Sequence, residues 1–198
     1  MDSDAFTRLT CCGKGMHKHC DEDVMKSKMS DALKSRCPEC RQKLPTSAEE
    51  GVKQVRVWVD KGKAWAQTSL ANQYQFGEGV PQSYEETIRY YNMAIKQGDP
   101  NAMVQLAAMY DQGQGVAQSF EKAAELSALA ANQGHATAQC NLGFAYENGR
   151  GIAQSYEKAI ELYTLAANQG HADAQLNVGL LYYQGNGVAQ SNAMARKW

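Results

Sequence analysis

The sequence has almost no net charge, no long apolar run and no dispersed cysteines, and each shortage removes a class of protein. Formal net charge is −1 over 198 residues. Residues 1–45 hold nine Lys/Arg against seven Asp/Glu, and the remainder hold eleven against fourteen. Neither part has the cationic excess that neutralising nucleic-acid phosphates requires. No apolar stretch nears the roughly 20 residues of a membrane-spanning helix; Val178–Tyr183 is among the longest. Met1–Leu9 is polar and lacks the hydrophobic centre of a secretory signal, which argues against export. Five of the six cysteines fall within Cys11–Cys40, and Cys140 stands alone. A disulfide framework would spread its cysteines through a small secreted domain, whereas this clustering in a reducing compartment reads as metal binding. The expected setting is the cytoplasm, with the nucleus also open to the chain.

What is present is a period. Gly62, Gly98, Gly134 and Gly170 are 36 residues apart, and the same interval links Tyr74, Tyr110, Tyr146 and Tyr182. It links Gly77, Gly113, Gly149 and Gly185, then Gly79, Gly115, Gly151 and Gly187, then Ser83, Ser119, Ser155 and Ser191. Five columns in one register mean a tandem repeat.

One copy explains the rest. In 135–170, Ala138, Leu142 and Ala145 follow helical spacing and give one apolar face. Gly143 lies on this helix, in a column that otherwise reads Ala71, Ala107 and Gly179; only small residues occur, so a neighbouring backbone is expected close by. The helix stops at Glu147-Asn148-Gly149-Arg150-Gly151, where glycine accepts positive φ. Ser155 is placed to cap a second helix, with Glu157 in its first turn; Ser83 and Glu86 have capping-box spacing. Ala159, Leu162, Tyr163 and Ala166 form the second apolar face, and Gly170 ends it. Gln154 is expected in an exposed loop that tolerates change. Each unit is a helical hairpin that buries its apolar face only against another copy. Full copies span 63–98, 99–134 and 135–170, and a fourth is cut short at Trp198 inside its second helix. Residues 46–61 read as a leading helix, with Ser47 and Glu50 as a capping box and Val55 and Trp58 as packing residues. The expected fold is all-α, an α-solenoid of stacked hairpins over 62–198.

The strings Ala136–Gly143, Tyr146–Ile152 and Ala159–His171 resemble the Sel1-like repeat family, an α-solenoid relative of the tetratricopeptide repeat. That resemblance covers 62–198 and implies a scaffold or adaptor holding other proteins on its surface, with no reaction of its own.

Residues 1–45 carry a separate signal, Cys11-Cys12-Gly-Lys-Gly-Met-His17-Lys-His-Cys20 followed by Cys37-Pro-Glu-Cys40-Arg41. A Cys-x-x-Cys pair places two thiolates on one turn, able to grip a tetrahedral Zn²⁺, and a finger too small for a core folds on its metal. The metal-ligand candidates are Cys11, Cys12, His17, Cys20, Cys37 and Cys40. One complete site is expected from Cys12, Cys37 and Cys40 with Cys11 or His17. The arrangement resembles the later two-thirds of a RING-type zinc finger, with Asp21–Arg36 as its helix. It departs from that pattern in two places: Lys14 stands where a ligating His belongs, and the opening Cys-x-x-Cys pair is missing.

Two functions of different class follow. One is a scaffold with a zinc-binding module. The other is an E3 ubiquitin-protein ligase, which the RING resemblance implies through Pro38 and Arg41, with a ubiquitin-conjugating enzyme as partner and the repeats recruiting substrate. The scaffold is the first reading. Gly149–Gly151 and its equivalents lack the strand and the Lys-Ser/Thr of a phosphate loop and read as turn glycines. His135 and His171 share a column with Asp99 and read as polar residues at a helix start. Cys140 stands where Val104 and Leu176 stand, so it reads as a small buried hydrophobe. Tyr74, Tyr110, Tyr146 and Tyr182 read as packing and loop anchors. No catalytic constellation emerges.

Overall fold

A computed structural model describes residues 45–198. The chain divides into two compact units, one ending at Gln97 and one spanning Gly98–Trp198. Every regular element among the described residues is an α-helix.

The first unit holds α1 (Ala48–Asp60), α2 (Ala64–Phe76) and α3 (Tyr84–Ile95). Ser47 caps α1 by accepting from the Glu50 N–H at 3.3 Å. Val52 and Val55 are buried, and Trp58 leans on Trp65 with ring centroids 6.1 Å apart. Helix α2 packs between α1 and α3, so its burial takes in polar residues as well as Leu70 and Ala71. Some of those polar groups find partners, as burial demands, while the Ser69 Oγ and the Gln73 Oε1 have none. The Gln67 Oε1 accepts from Gln97 at 2.8 Å, and the Gln75 Oε1 accepts from the Tyr91 hydroxyl at 2.8 Å.

The second unit stacks α4 (Pro100–Gln112), α5 (Phe120–Asn132), α6 (Ala136–Asn148), α7 (Tyr156–Asn168), α8 (Ala172–Gln184) and α9 (Asn192–Lys197). They form hairpins α4/α5, α6/α7 and α8/α9, and α5 packs on α6 as α7 packs on α8. Sequential stacking of identical hairpins is what an α-solenoid is. The core around α7 and α8 includes Ile160, Tyr163, Ala166, Val178 and Leu181. Helix α9 buries none of its residues.

Repeat columns turn out to be capping positions. Asp99, His135 and His171 each cap a first helix through the side chain, and Ser119, Ser155 and Ser191 each cap a second. The expected capping boxes form only by half. Ser83 accepts from the Glu86 N–H, but its own N–H, the donor a box would give to Glu86, goes to the Tyr74 carbonyl at 2.9 Å. Ser119, Ser155 and Ser191 repeat this bond to Tyr110, Tyr146 and Tyr182. At α1 the Glu50 carboxylate accepts from the Thr46 N–H at 2.8 Å.

These serine bonds tie each loop to the backbone carbonyl of the tyrosine column, without using the tyrosine rings. Gln154 is exposed in the loop, as expected, but its side chain is also bonded. Its Nε2 donates to the Glu147 carbonyl at 2.7 Å, and Gln82, Gln118 and Gln190 donate to Gln75, Asp111 and Tyr183 in the same way. The residue is exposed, yet it satisfies a carbonyl that the helix end leaves without an internal donor.

Candidate functional site

The metal-ligand candidates Cys11, Cys12, His17, Cys20, Cys37 and Cys40, the helix expected over Asp21–Arg36, Pro38 and Arg41 all lie outside the described residues. Among the described residues no three His, Cys, Asp or Glu side chains gather as metal ligands, and no helix is long and apolar enough to cross a membrane. Cys140 is buried on α6. Burial, with a smaller push from Asp173, raises its thiol to about 11. A thiol so far above neutral pH stays protonated and is a poor nucleophile.

The surface of the second unit exposes apolar side chains. Leu129 on α5 and Leu165 on α7 are one period apart and are 52% and 51% exposed. Phe144 on α6 and Leu180 on α8 are likewise one period apart, each 44% exposed. The second unit therefore shows apolar side chains at fixed intervals on both its first and its second helices.

One cavity, of about 350 Å³, opens beside Phe144. Its walls come from α4 (Ala107, Asp111), α5 (Phe120, Ser127), α6 (Asn141) and the Arg150 loop. Arg150 bridges the mouth. Its guanidinium lies 4.2 Å from the Phe120 ring centroid and 5.7 Å from that of Phe144, and it pairs with Asp111 at 3.2 Å. Both ions are partly exposed, so the pair contributes little stability and mainly fixes the positions of the side chains.

The cavity traces to one column. Residues 91, 127 and 163 are equivalent and read Tyr, Ser, Tyr. Tyr91 and Tyr163 are fully buried. Burial raises both phenols well above their ordinary value, and at Tyr163 the bond to Glu147 adds to the rise. Ser127 leaves the ring's place unfilled. These positions carry no motif; their one sequence signal is a single copy breaking a column of large side chains.

The Sel1 repeat family matches over residues 66–99, 100–135, 136–171 and 172–198. Among solved structures, the chain is similar to c5321, a protective antigen of uropathogenic Escherichia coli with an SLR fold. Identity is 31% and the TM-score 0.75, over 79% of this chain and 34% of that one. It is also similar to a Sel1 repeat protein from Oxalobacter formigenes, at 28% identity and a TM-score of 0.73, over 77% of this chain and 62% of that one. The chain thus spans about a third of the first protein and less than two-thirds of the second. Helicobacter pylori cysteine rich protein B, at 18% identity and a TM-score of 0.54, shares the fold. Among curated proteins none matches.

Proposed function

Since this chain belongs to the Sel1 repeat family, we propose that it is a protein–protein interaction scaffold whose N-terminal cysteine-rich segment holds zinc. The observation that carries the scaffold reading is the periodic exposure of Leu129 and Leu165 on second helices and of Phe144 and Leu180 on first helices. Apolar side chains exposed at the same place in successive hairpins can line one surface, and a contiguous apolar surface of that kind is where other proteins dock.

The test compares the full chain with two double variants, Leu129→Glu with Leu165→Glu and Phe144→Glu with Leu180→Glu. Partners are captured by cross-linking and quantified by mass spectrometry. A defined set of proteins should be lost from one variant and kept by the other. A captured set that neither variant changes would overturn the scaffold reading.

Zinc binding rests on the spacing of Cys11, Cys12, His17, Cys20, Cys37 and Cys40, and the same clustering supports a cytoplasmic or nuclear setting. A second reading, a RING-type E3 ubiquitin-protein ligase acting with a ubiquitin-conjugating enzyme, is favoured by Cys37-Pro38-Glu39-Cys40-Arg41. With ubiquitin, an activating enzyme and a panel of conjugating enzymes, the chain should give little or no ligation. Polyubiquitin chains that vanish on Cys37→Ser would promote the second reading.

A further inference from the structure

We propose that the cavity at Ser127 receives the tyrosine side chain of a peptide segment of a partner protein. The argument begins with the copy that supplies its own tyrosine. The Tyr163 ring lies across Gly143, where an added Cβ would come within 2.9 Å of ring carbons Cδ1 and Cε1. Its hydroxyl donates to the Glu147 Oε2 at 2.7 Å and is also hydrogen-bonded by Asn177. One period back, Gly143 becomes Ala107, Glu147 becomes Asp111, Tyr163 becomes Ser127 and Asn177 becomes Asn141. All four of those residues line the cavity. The acceptor and the donor for a phenol are retained, and the ring is missing.

The remaining copy shows that alanine in place of glycine still admits the ring. Tyr91 sits in the copy that has Ala71 at that position, and its hydroxyl bonds Asn72 and Gln75. Gln75 is the equivalent of Asp111. A volume of about 350 Å³ is near the lower end of ligand pockets, which run from about 300 Å³; it suits one aromatic side chain. The mouth favours a peptide over a free small phenol. Asn141 and Asn177 both line the cavity; each amide carries two donors and an acceptor, so Asn141 can serve the phenol and Asn177 the Tyr163 hydroxyl with capacity left for an extended backbone. Asp111 and Asp173 against Arg150 leave the lining acidic. A neutral phenol therefore suits the cavity, and a phosphotyrosine, carrying about two negative charges, is repelled.

This inference rests on the scaffold reading for its biological occupant, but its test needs no natural partner. The full chain is titrated by amide NMR with p-cresol, with toluene, and with acetylated Ala-Ala-Tyr-Ala-Ala amide and its phosphotyrosine form. p-Cresol and the tyrosine peptide should both shift Ala107, Asp111, Ser127 and Asn141. Toluene should bind at least about tenfold more weakly, because it leaves the polar partners unmatched, and the phosphopeptide should not bind. Ser127→Tyr should abolish the shifts while keeping or raising the thermal midpoint. Asp111→Ala, which leaves the cavity open, should weaken p-cresol about tenfold, so the test survives if the first variant misfolds. Shifts absent from these residues, or unchanged in both variants, would sink the cavity as a phenol site. Binding of p-cresol without the tyrosine peptide would overturn the peptide occupant. Ser127-dependent binding alongside a failed partner screen would leave the cavity standing and remove only the scaffold reading.

Discussion

His135 shows how one side chain ties helix capping to pH. Its Nδ1 accepts from the Ala138 N–H at 3.3 Å, and its Nε2 lies 3.3 Å from the Asn101 Oδ1. That pattern needs the neutral ring protonated on Nε2, since the imidazolium has no acceptor left. Burial pulls its pKa below the ordinary 6.5, with His171 adding to the lowering and Asp99 opposing it. Between the lowered folded value and the unfolded one, the unfolded chain binds the proton and the folded chain does not. Stability should therefore fall as pH drops from about 6.5 through the folded value. His135→Asn keeps a capping side chain without the titration, so its thermal midpoint should decline less than the wild type's between neutral pH and pH 5. An equal decline in both proteins would place the acid sensitivity elsewhere. Gly143 supplies the second residue-scale prediction. Its would-be Cβ meets the Tyr163 ring at 2.9 Å and the Ala159 carbonyl oxygen at 3.3 Å, so Gly143→Leu should cost roughly 1–3 kcal/mol or more by overpacking. Urea unfolding measures it, and a change under about 0.5 kcal/mol, the scale of an ordinary surface substitution, would show that the hairpin opens without strain.

At the scale of elements, the glycine pairs do two jobs that the sequence pattern presents as one. Gly149 and Gly151 both have positive φ, at 64° and 69°, which glycine accepts without a Cβ penalty. Gly149 ends α6. Gly151 rests on the preceding hairpin, where a Cβ would run into the Phe120 carbonyl group at the start of α5. Gly187 rests on Tyr156 in the same way, with 2.6 Å to its carbonyl carbon. Gly134 has φ 82° and nothing within 4 Å of a Cβ. Gly134→Ala should cost about 1 kcal/mol, from backbone conformation alone. Gly151→Ala should cost that and a further 1–3 kcal/mol or so for the clash between hairpins. Equal losses in chemical denaturation would mean the loop shifts freely off Phe120.

For the whole molecule, the repeats and the cysteine-rich segment are expected to be stable on separate grounds. The hairpins hold together by burying apolar faces against one another, with no metal-ligand cluster among the described residues. Under the zinc proposal, the N-terminal segment would depend on its metal for folding. Protein purified without chelator should carry one zinc per chain by elemental analysis, and Cys37→Ser with Cys40→Ser should remove it. Circular dichroism should show the helical signal nearly unchanged by that loss. A metal-free wild type would end the zinc reading, and collapse of helicity on zinc loss would mean the two parts fold as one.

The sequence by itself determined the period, the helical hairpin, the helix ends and the small-residue column at Gly143, because these depend on residues close along the chain or repeated at a fixed interval. Asp99, His135 and His171 could be placed at helix starts from their shared column. Neighbours decided the rest. The serine N–H groups go to Tyr74, Tyr110, Tyr146 and Tyr182, which pre-empts the capping box that local spacing predicts. First helices such as α6 lie between two others, so Gln139 and Cys140 are buried beside the expected Ala138 and Leu142; a one-sided helical pattern cannot express burial on two sides. Ser127 is an ordinary helix residue in sequence. It bounds a cavity because the rings at Tyr91 and Tyr163 have no counterpart there, and only packing turns a missing side chain into a space that a partner can fill.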